Sequence, residues 1–438
     1  MICLIFVLTQ ISMATQNSVW KQDVFKRADE LEKKLIAWRR DIHQNPELGE
    51  SENRTAKMVA EHLKNLGIEV KTNIAKTGVV GILKGQNSRP VVALRADMDA
   101  LPIKELTDVP FASKAKGLYL GKEVDVMHAC GHDTHTAMLM ATAELLSDLK
   151  KQNRLKGTVM FIFQPAEEGP GDGRDNSAVD WGAHQMLKEG LFKKILKPDM
   201  IFALHVSANY ESGRLVYTPG PSMASYDNFY ITVEGRQTHA TLPWEGVDPI
   251  LAGAKIVEVL NQIVSRRLNI AKNTSVVTVG TFNAGYRENI IPDTAKLSGT
   301  IRAFDDDSRK KAIQFTTEGA EHAAKSVGAT AKVRIHRGYD VTINDEKLSD
   351  QVLPSLQTAA EGKITQGYKI GGSEDFSYYA KEAPGVFVFL GVTPLKNLGK
   401  AATNHSGLFY ADESALKVGV RTLSLMTLDA MDGLVAKP

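Results

Sequence analysis

Thr158-Val159-Met160-Phe161-Ile162-Phe163-Gln164-Pro165-Ala166-Glu167-Glu168-Gly169 is the stretch on which the reading of this chain turns. Its opening residues are apolar or β-branched without alternation, as in a strand buried on both faces. Strands of that kind need helices on both sides of their sheet, and chemistry then collects in the loops that follow the strands. Here two adjacent carboxylates, Glu167 and Glu168, follow at once. Carboxylates so placed are costly unless solvated, paired or metal-bound.

The same signal recurs on either side. Apolar runs at 79–83, 91–95, 200–205 and 385–390 read as further buried strands. Helical spacing appears over 24–41, where Ala28, Leu31, Leu35 and Trp38 share a face, then over 52–66, 136–149 and from about 412 onward. Strands alternating with helices predict an α/β fold, a mixed sheet covered by helices on both faces. Between about 221 and 339 the order changes to strand 227–233, helix 248–267, strands 275–284 and 294–304, helix 308–327 and strand 331–337. That is a ferredoxin-like β-α-β-β-α-β unit inserted into the larger one. A length of 438 residues exceeds one ordinary core and agrees with this division. The expected parts are 1–14, a cleaved leader; 20–220 and 340–438, two parts of a catalytic domain; and 221–339, the insertion.

Composition excludes some functions. A net charge of +2, with Lys and Arg scattered, leaves no basic field for nucleic acid or an anionic membrane. The apolar run 2–8, followed by Ser12-Met13-Ala14, resembles an export signal and is too short to span a bilayer. It predicts a periplasmic or secreted protein without a membrane anchor, with a cytoplasmic location as the alternative. The only cysteines are Cys3 and Cys130, so a disulfide framework is excluded. No G-x-x-x-x-G-K-[ST] loop or G-x-S-x-G elbow is present.

Four polar clusters lie at strand ends or in loops: His128 to His135, Gln164 to Gly169, Ala203 to His205 and Asn404 to Ser406. Cys130 and His132, two residues apart, can aim a thiolate and an imidazole at one ion. Taken singly, each feature has a plain alternative: a chance C-x-H pair, a solvated acidic loop, a core histidine at a strand end. Their joint occurrence carries the reading. One thiolate, one carboxylate and three imidazoles suffice for two ions if one group bridges them or water fills the gaps. Glu167, beside ligand candidate Glu168, could then take a proton from water and return it to a leaving nitrogen.

These clusters belong to a longer series of motifs. DIHQNPELGE (41–50), LRADMDALP (94–102), MHACGHDTH (127–135), FQPAEEG (163–169) and ALHV (203–206) are followed by GRQTHA (235–240), ENIIPD (288–293), GTIRAF (299–304), GGSEDF (371–376) and NHSGLF (404–409). In this order the chain resembles the amidohydrolases of peptidase family M20. The branch is that of bacterial hippurate hydrolase, N-acyl-L-amino acid amidohydrolases and plant indoleacetyl-amino acid hydrolases. The resemblance covers nearly everything after about residue 25. It implies a dinuclear metallo-exopeptidase type of fold, with the insertion as a lid or dimerisation domain. It assigns Cys130, His132, Glu168, His205 and His405 as metal ligands and Glu167 as general base. His239 would stabilise the oxyanion, in many relatives across a dimer. Asn289 and Arg302 would lie near the substrate carboxylate, and Asp97 would orient a ligand. His43, Asp133 and His135 are read as packing or supporting groups. Where the wider family has a further ligand histidine this chain has Arg95, which leaves zinc, manganese, cobalt and nickel all open as the two divalent ions. The implied reaction is hydrolysis of small N-acyl-L-amino acids to a carboxylic acid and a free amino acid, in a possible homodimer. The alternative is a metallo-carboxypeptidase or dipeptidase acting on unmodified peptides.

Overall fold

The structure, a computed structural model, describes residues 2–173, 179–272 and 274–432, with residues 2–20 described in backbone alone. The leader reading of 1–14 therefore lies outside the described side chains. Among the described residues no helix is long and apolar enough to cross a membrane.

Eight strands form the main sheet, in the order Glu69–Ile74, Gly78–Lys84, Thr158–Gln164, Val91–Asp97, Met200–Glu211, Gly385–Thr393, Leu215–Tyr217 and Ile364–Gln366. The central four, from Thr158–Gln164 to Gly385–Thr393, run parallel, and antiparallel strands flank them on either side. Side chains in these strands divide by parity. Val92, Leu94, Phe161, Phe163, Phe202 and Val388 pack under the long helices Ile2–Gln44, His132–Lys151 and Leu416–Met431. Ala93, Met160, Ile162, Ile201 and Phe387 pack on the other face, against Gly182–Glu189 and Phe376–Glu382. This is why the strands read as continuous apolar runs: each face has its own helical cover. Fully buried phenylalanines such as Phe161 and Phe163 each contribute about 1.5–3 kcal/mol.

At the site, two boundaries differ from the sequence expectation. The strand from Met200 does not end at His205 but continues to Glu211, because its parallel neighbour keeps pairing as far as Thr393. The helix expected from 136 begins at His132. Gly131 makes this possible: it caps the helix at φ +96°, and a Cβ there would meet Val206 Cγ2 at 2.3 Å.

The segment between Asp227 and Arg337 forms a separate antiparallel sheet, in the order Ser275–Ala284, Thr294–Ala303, Asp227–Glu234 and Thr330–Arg337. Helices Pro249–Arg267 and Asp306–Lys325 cover one face, around Phe229, Ile231, Leu260 and Ile301. Each helix starts at an aspartate whose side chain accepts from a first-turn amide: Asp248 from Ile250 at 2.8 Å and Asp305 from Ser308 at 2.9 Å. The entering and leaving chains meet where Tyr226 N–H donates to Tyr339 O at 3.0 Å.

Candidate metal centre

The carboxyl ends of the parallel strands open onto one cavity of about 460 Å³, whose lining includes Cys130, Glu167, Glu168, His205, Arg302 and His405. Cys130 is part of its wall. Its Sγ lies 3.3 Å from Nε2 of His205 and 3.3 Å from Nε2 of His405. Two triads share that sulfur, Cys130–His132–His205 and Cys130–Glu168–His405, each with its donor atoms within 4.8 Å of one another.

Local structure aims each donor. Asn404 ties three segments together: its amide donates to Cys130 O at 2.9 Å and Val206 O at 3.1 Å, and its Oδ1 accepts from Ala208 N at 3.1 Å. His405 follows it at φ +68°, a left-handed conformation costly for a side-chain-bearing residue. Its N–H bond to Ala129 O, 2.8 Å, helps hold it there. Nε2 of His405 lies 2.8 Å from Glu168 Oε1. His205 donates Nδ1–H to Val206 O at 2.7 Å, so its Nε2 lone pair faces the sulfur. His132 pairs Nδ1 with Asp99 Oδ1 at 3.1 Å, and its buried Nε2 has no hydrogen-bond partner among the described residues.

The charge balance points the same way. Burial, then Glu168 and Glu167, push the Cys130 thiol well up. Burial, then Glu374, Glu168 and Asp375, do the same to Glu167, against Arg95. Burial disfavours a charged His132, but Asp97 and Asp99 lift it to about 10. A site in which Cys130 and Glu167 are pushed toward holding protons and His132 binds one tightly is short of positive charge. Divalent cations would supply that charge, and the soft and borderline donors suit first-row transition ions. The orphaned Nε2 of His132 and the shared sulfur fit two of them.

His135 is close by but is not a ligand candidate. Its Nε2 accepts from Val206 N at 2.8 Å and its Nδ1 donates to Asp97 Oδ1 at 2.6 Å, so both ring nitrogens are engaged. Asp97 thus holds His135, while its Oδ2 lies 3.8 Å from His132 Nε2. His43 and Asp133 form a buried pair at 2.9 Å, joined by Arg39 at 2.8 Å. Glu167 is 5 % exposed, with Oε2 3.9 Å from His132 Nε2. Arg302 lines the cavity, donates to Ser373 Oγ at 3.1 Å and has no ion pair among the described residues.

Two expected residues are not brought to this cavity within one chain. His239 pairs with Ile290 on a two-residue strand, exposed, its Nδ1 2.8 Å from Thr241 Oγ1. Asn289 is exposed on the facing turn, where its carbonyl accepts from Ala240 N at 3.0 Å.

Sequence reasoning missed the roles of four groups. Asp99 fixes His132 and also accepts Glu168 N at 2.9 Å. Glu374 and Asp375 lie within 4.8 Å of Glu167. Arg95, 2 % exposed, answers them, donating to Asp97 at 2.6 Å and to Glu374 and Asp375 at 2.9 Å each. The signal available was the acid pair inside GGSEDF, together with a lone arginine inside an apolar strand.

Residues 93–429 match the model of peptidase family M20/M25/M40. The chain belongs to this family. It is 38% identical to thermostable carboxypeptidase 2 of Saccharolobus solfataricus over 401 residues, covering 91% of this chain and 96% of that one. It is 37% identical to N-acetyl-L-cysteine deacetylase of Bacillus subtilis, covering 82% and 81%, and 37% identical to hippurate hydrolase of Campylobacter jejuni, covering 80% and 86%. Among solved structures, the Bacillus subtilis YXEP protein, described as a dinuclear metal binding peptidase from the M20 family, superposes with a TM-score of 0.75 at 32% identity, covering 92% and 99%. This M20 chain is thus a hydrolase of a family whose relatives act on amide bonds, on an α/β fold shared with a two-metal neighbour.

Proposed function

We propose that this M20 hydrolase cleaves the amide of N-acyl-L-amino acids, releasing a carboxylic acid and a free amino acid. The observation that carries the proposal is Cys130 Sγ at 3.3 Å from both His205 and His405, with Glu167 and Arg302 on the same cavity. In this reading Cys130, His132 and His205 would hold one divalent ion, and Cys130, Glu168 and His405 would hold the other. Bound there, the ions supply Lewis acidity toward the amide carbonyl and acidify an attacking water. Glu167 takes the proton from that water and delivers it to the departing nitrogen. Arg302 pairs with the carboxylate of the amino acid, which sets the scissile bond at a fixed distance from Glu167. Asp97 and Asp99 orient His135 and His132. A homodimer joined through the inserted unit would carry His239 and Asn289 of one copy toward the cavity of the other, where His239 stabilises the oxyanion.

The apolar wall formed by Trp181, Met223, Ile370 and Phe389 suits an acyl group rather than a charged α-ammonium. The identity to a carboxypeptidase supports a second reading, cleavage of unmodified peptides. Hydrolysis of benzoyl-, acetyl- and aminoacyl-amino acids by protein loaded in turn with zinc, manganese, cobalt or nickel separates the two. Faster turnover of the aminoacyl series would replace the first reading by the second.

A further inference from the structure

The peptide that carries Glu167 is held at three backbone groups by three different parts of the molecule. Glu52 Oε1 accepts Ala166 N at 2.8 Å. Asp99 Oδ2 accepts Glu168 N at 2.9 Å. The carbonyl of Glu167 itself accepts from the Tyr339 hydroxyl. Ala166 stands at φ +50°, so this loop depends on its clamps to keep a conformation it would otherwise leave. Glu52 and Asp99 belong to the catalytic body. Tyr339 lies on the chain that leaves the inserted unit.

That leaving chain is fastened firmly to the inserted unit. Arg309, 1 % exposed on helix Asp306–Lys325, donates Nε and Nη2 to the two carboxylate oxygens of Asp227 at 2.7 Å each. It also donates Nη2 to Gly338 O at 3.1 Å and pairs with Asp340. One buried guanidinium therefore grips the first residue of the entering strand and both neighbours of Tyr339. Gly338 has no room for a Cβ, which would meet the Tyr226 ring at 2.1 Å. The Tyr339 hydroxyl in turn accepts from Trp181 Nε1 at 2.9 Å, which directs its own proton to Glu167 O.

Substrate contacts begin on the same unit. The Arg302 guanidinium lies 5.0 Å from the Tyr226 ring centroid, and the Tyr226 and Tyr339 rings pack edge to face at 5.9 Å. A continuous path of packed groups thus runs from Arg302 through Tyr226 and Tyr339 to the backbone of Glu167.

We infer that Tyr339 is a positioning residue through which the placement of the inserted unit, and the carboxylate held by Arg302, set the position of Glu167. The inference rests on the reading of Glu167 as the base. A base displaced by about an ångström can lose a hundredfold in rate, so a bond to its own carbonyl has leverage on turnover.

Tyr339→Phe keeps the ring and deletes the bond. Its kcat should fall about three- to tenfold, the scale of one hydrogen bond, with KM and metal content as in the unaltered enzyme. Unchanged kcat overturns the inference, as does a loss that tracks metal content or a rise in KM, since either marks a merely structural role. Glu167→Gln, assayed in parallel, tells the two failures apart. If it is inactive while Tyr339→Phe is unimpaired, only the present inference falls. If it still turns over, the base reading falls and takes this inference with it. Should Tyr339→Phe not fold, Asp340→Asn, which weakens the grip of Arg309 on the neighbour of Tyr339, is read on kcat by the same criterion.

Discussion

Nδ1 of His132 lies 3.1 Å from Oδ1 of Asp99, and that bond decides which nitrogen of His132 is left for an ion. With Nδ1–H committed, the buried Nε2 has no hydrogen-bond partner among the described residues. The bond to Asp99 fixes the orientation of the ring, and an ion binding at Nε2 would displace the proton held there.

Asp99→Asn can present its amide nitrogen to His132 and favour the wrong tautomer. Metal affinity should fall about 10- to 100-fold, read by competition with a chelator. Affinity equal to that of the unaltered protein would remove Asp99 from the site's machinery.

The shared sulfur predicts an asymmetry between ligand variants. Cys130→Ala should lose metal at both positions, whereas His405→Ala should keep the ion held by the Cys130, His132 and His205 triad. Metal content by mass spectrometry under native conditions checks this, and equal losses in the two variants would show that the sulfur is not shared.

Glu167→Gln keeps the shape of the side chain and removes its basicity. Turnover should drop about 10²–10⁴-fold with metal content retained. Near-normal turnover in a fully loaded variant would transfer the proton step to another group.

Arg95 is the cation facing Asp97, Glu374 and Asp375, all buried. Arg95→Met leaves these acids without it and should cost about 3–5 kcal/mol, measured by urea unfolding of metal-free protein. A loss below 1 kcal/mol, on the order of an exposed ion pair, would mean that the acids are neutralised by protons instead.

His62 gives a pH dependence away from the metal centre. Burial lowers its pKa, with Nε2 bonded to Met140 O at 3.0 Å and the ring against Trp38 at 4.7 Å. The unfolded chain takes up a proton near the ordinary value of about 6.5, while the folded chain does so only lower. Stability contributed by neutral His62 is therefore present above that value and is lost as pH falls below it. His62→Gln should flatten the decline of Tm in that window, and an identical decline in both proteins would argue against it.

Much of this architecture is local in origin. The strands 91–97, 158–164 and 385–393 are legible because both faces are covered, so no polar residue interrupts the apolar run until the strand end. Arg95 is the exception, and it marks the buried acids. The inserted unit is legible because its helices have apolar faces at helical spacing and its strands alternate. His205 shows the limit: nothing near it in sequence tells that pairing with a strand some 180 residues later carries its own strand on to Glu211.

The sequence by itself determined the layered α/β frame, the inserted antiparallel unit and the residue types from which a two-ion site could be built, because periodicity and side-chain chemistry are written residue by residue. Only the tertiary structure decided which of those groups share a cavity. It placed Cys130 between His205 and His405, engaged both nitrogens of His135, left His239 and Asn289 outside the cavity of their own chain, and set Arg95 among the acids around Glu167. Those outcomes depend on burial and on hydrogen-bond partners contributed by segments far apart in sequence, and such partners exist only once the chain has closed on itself.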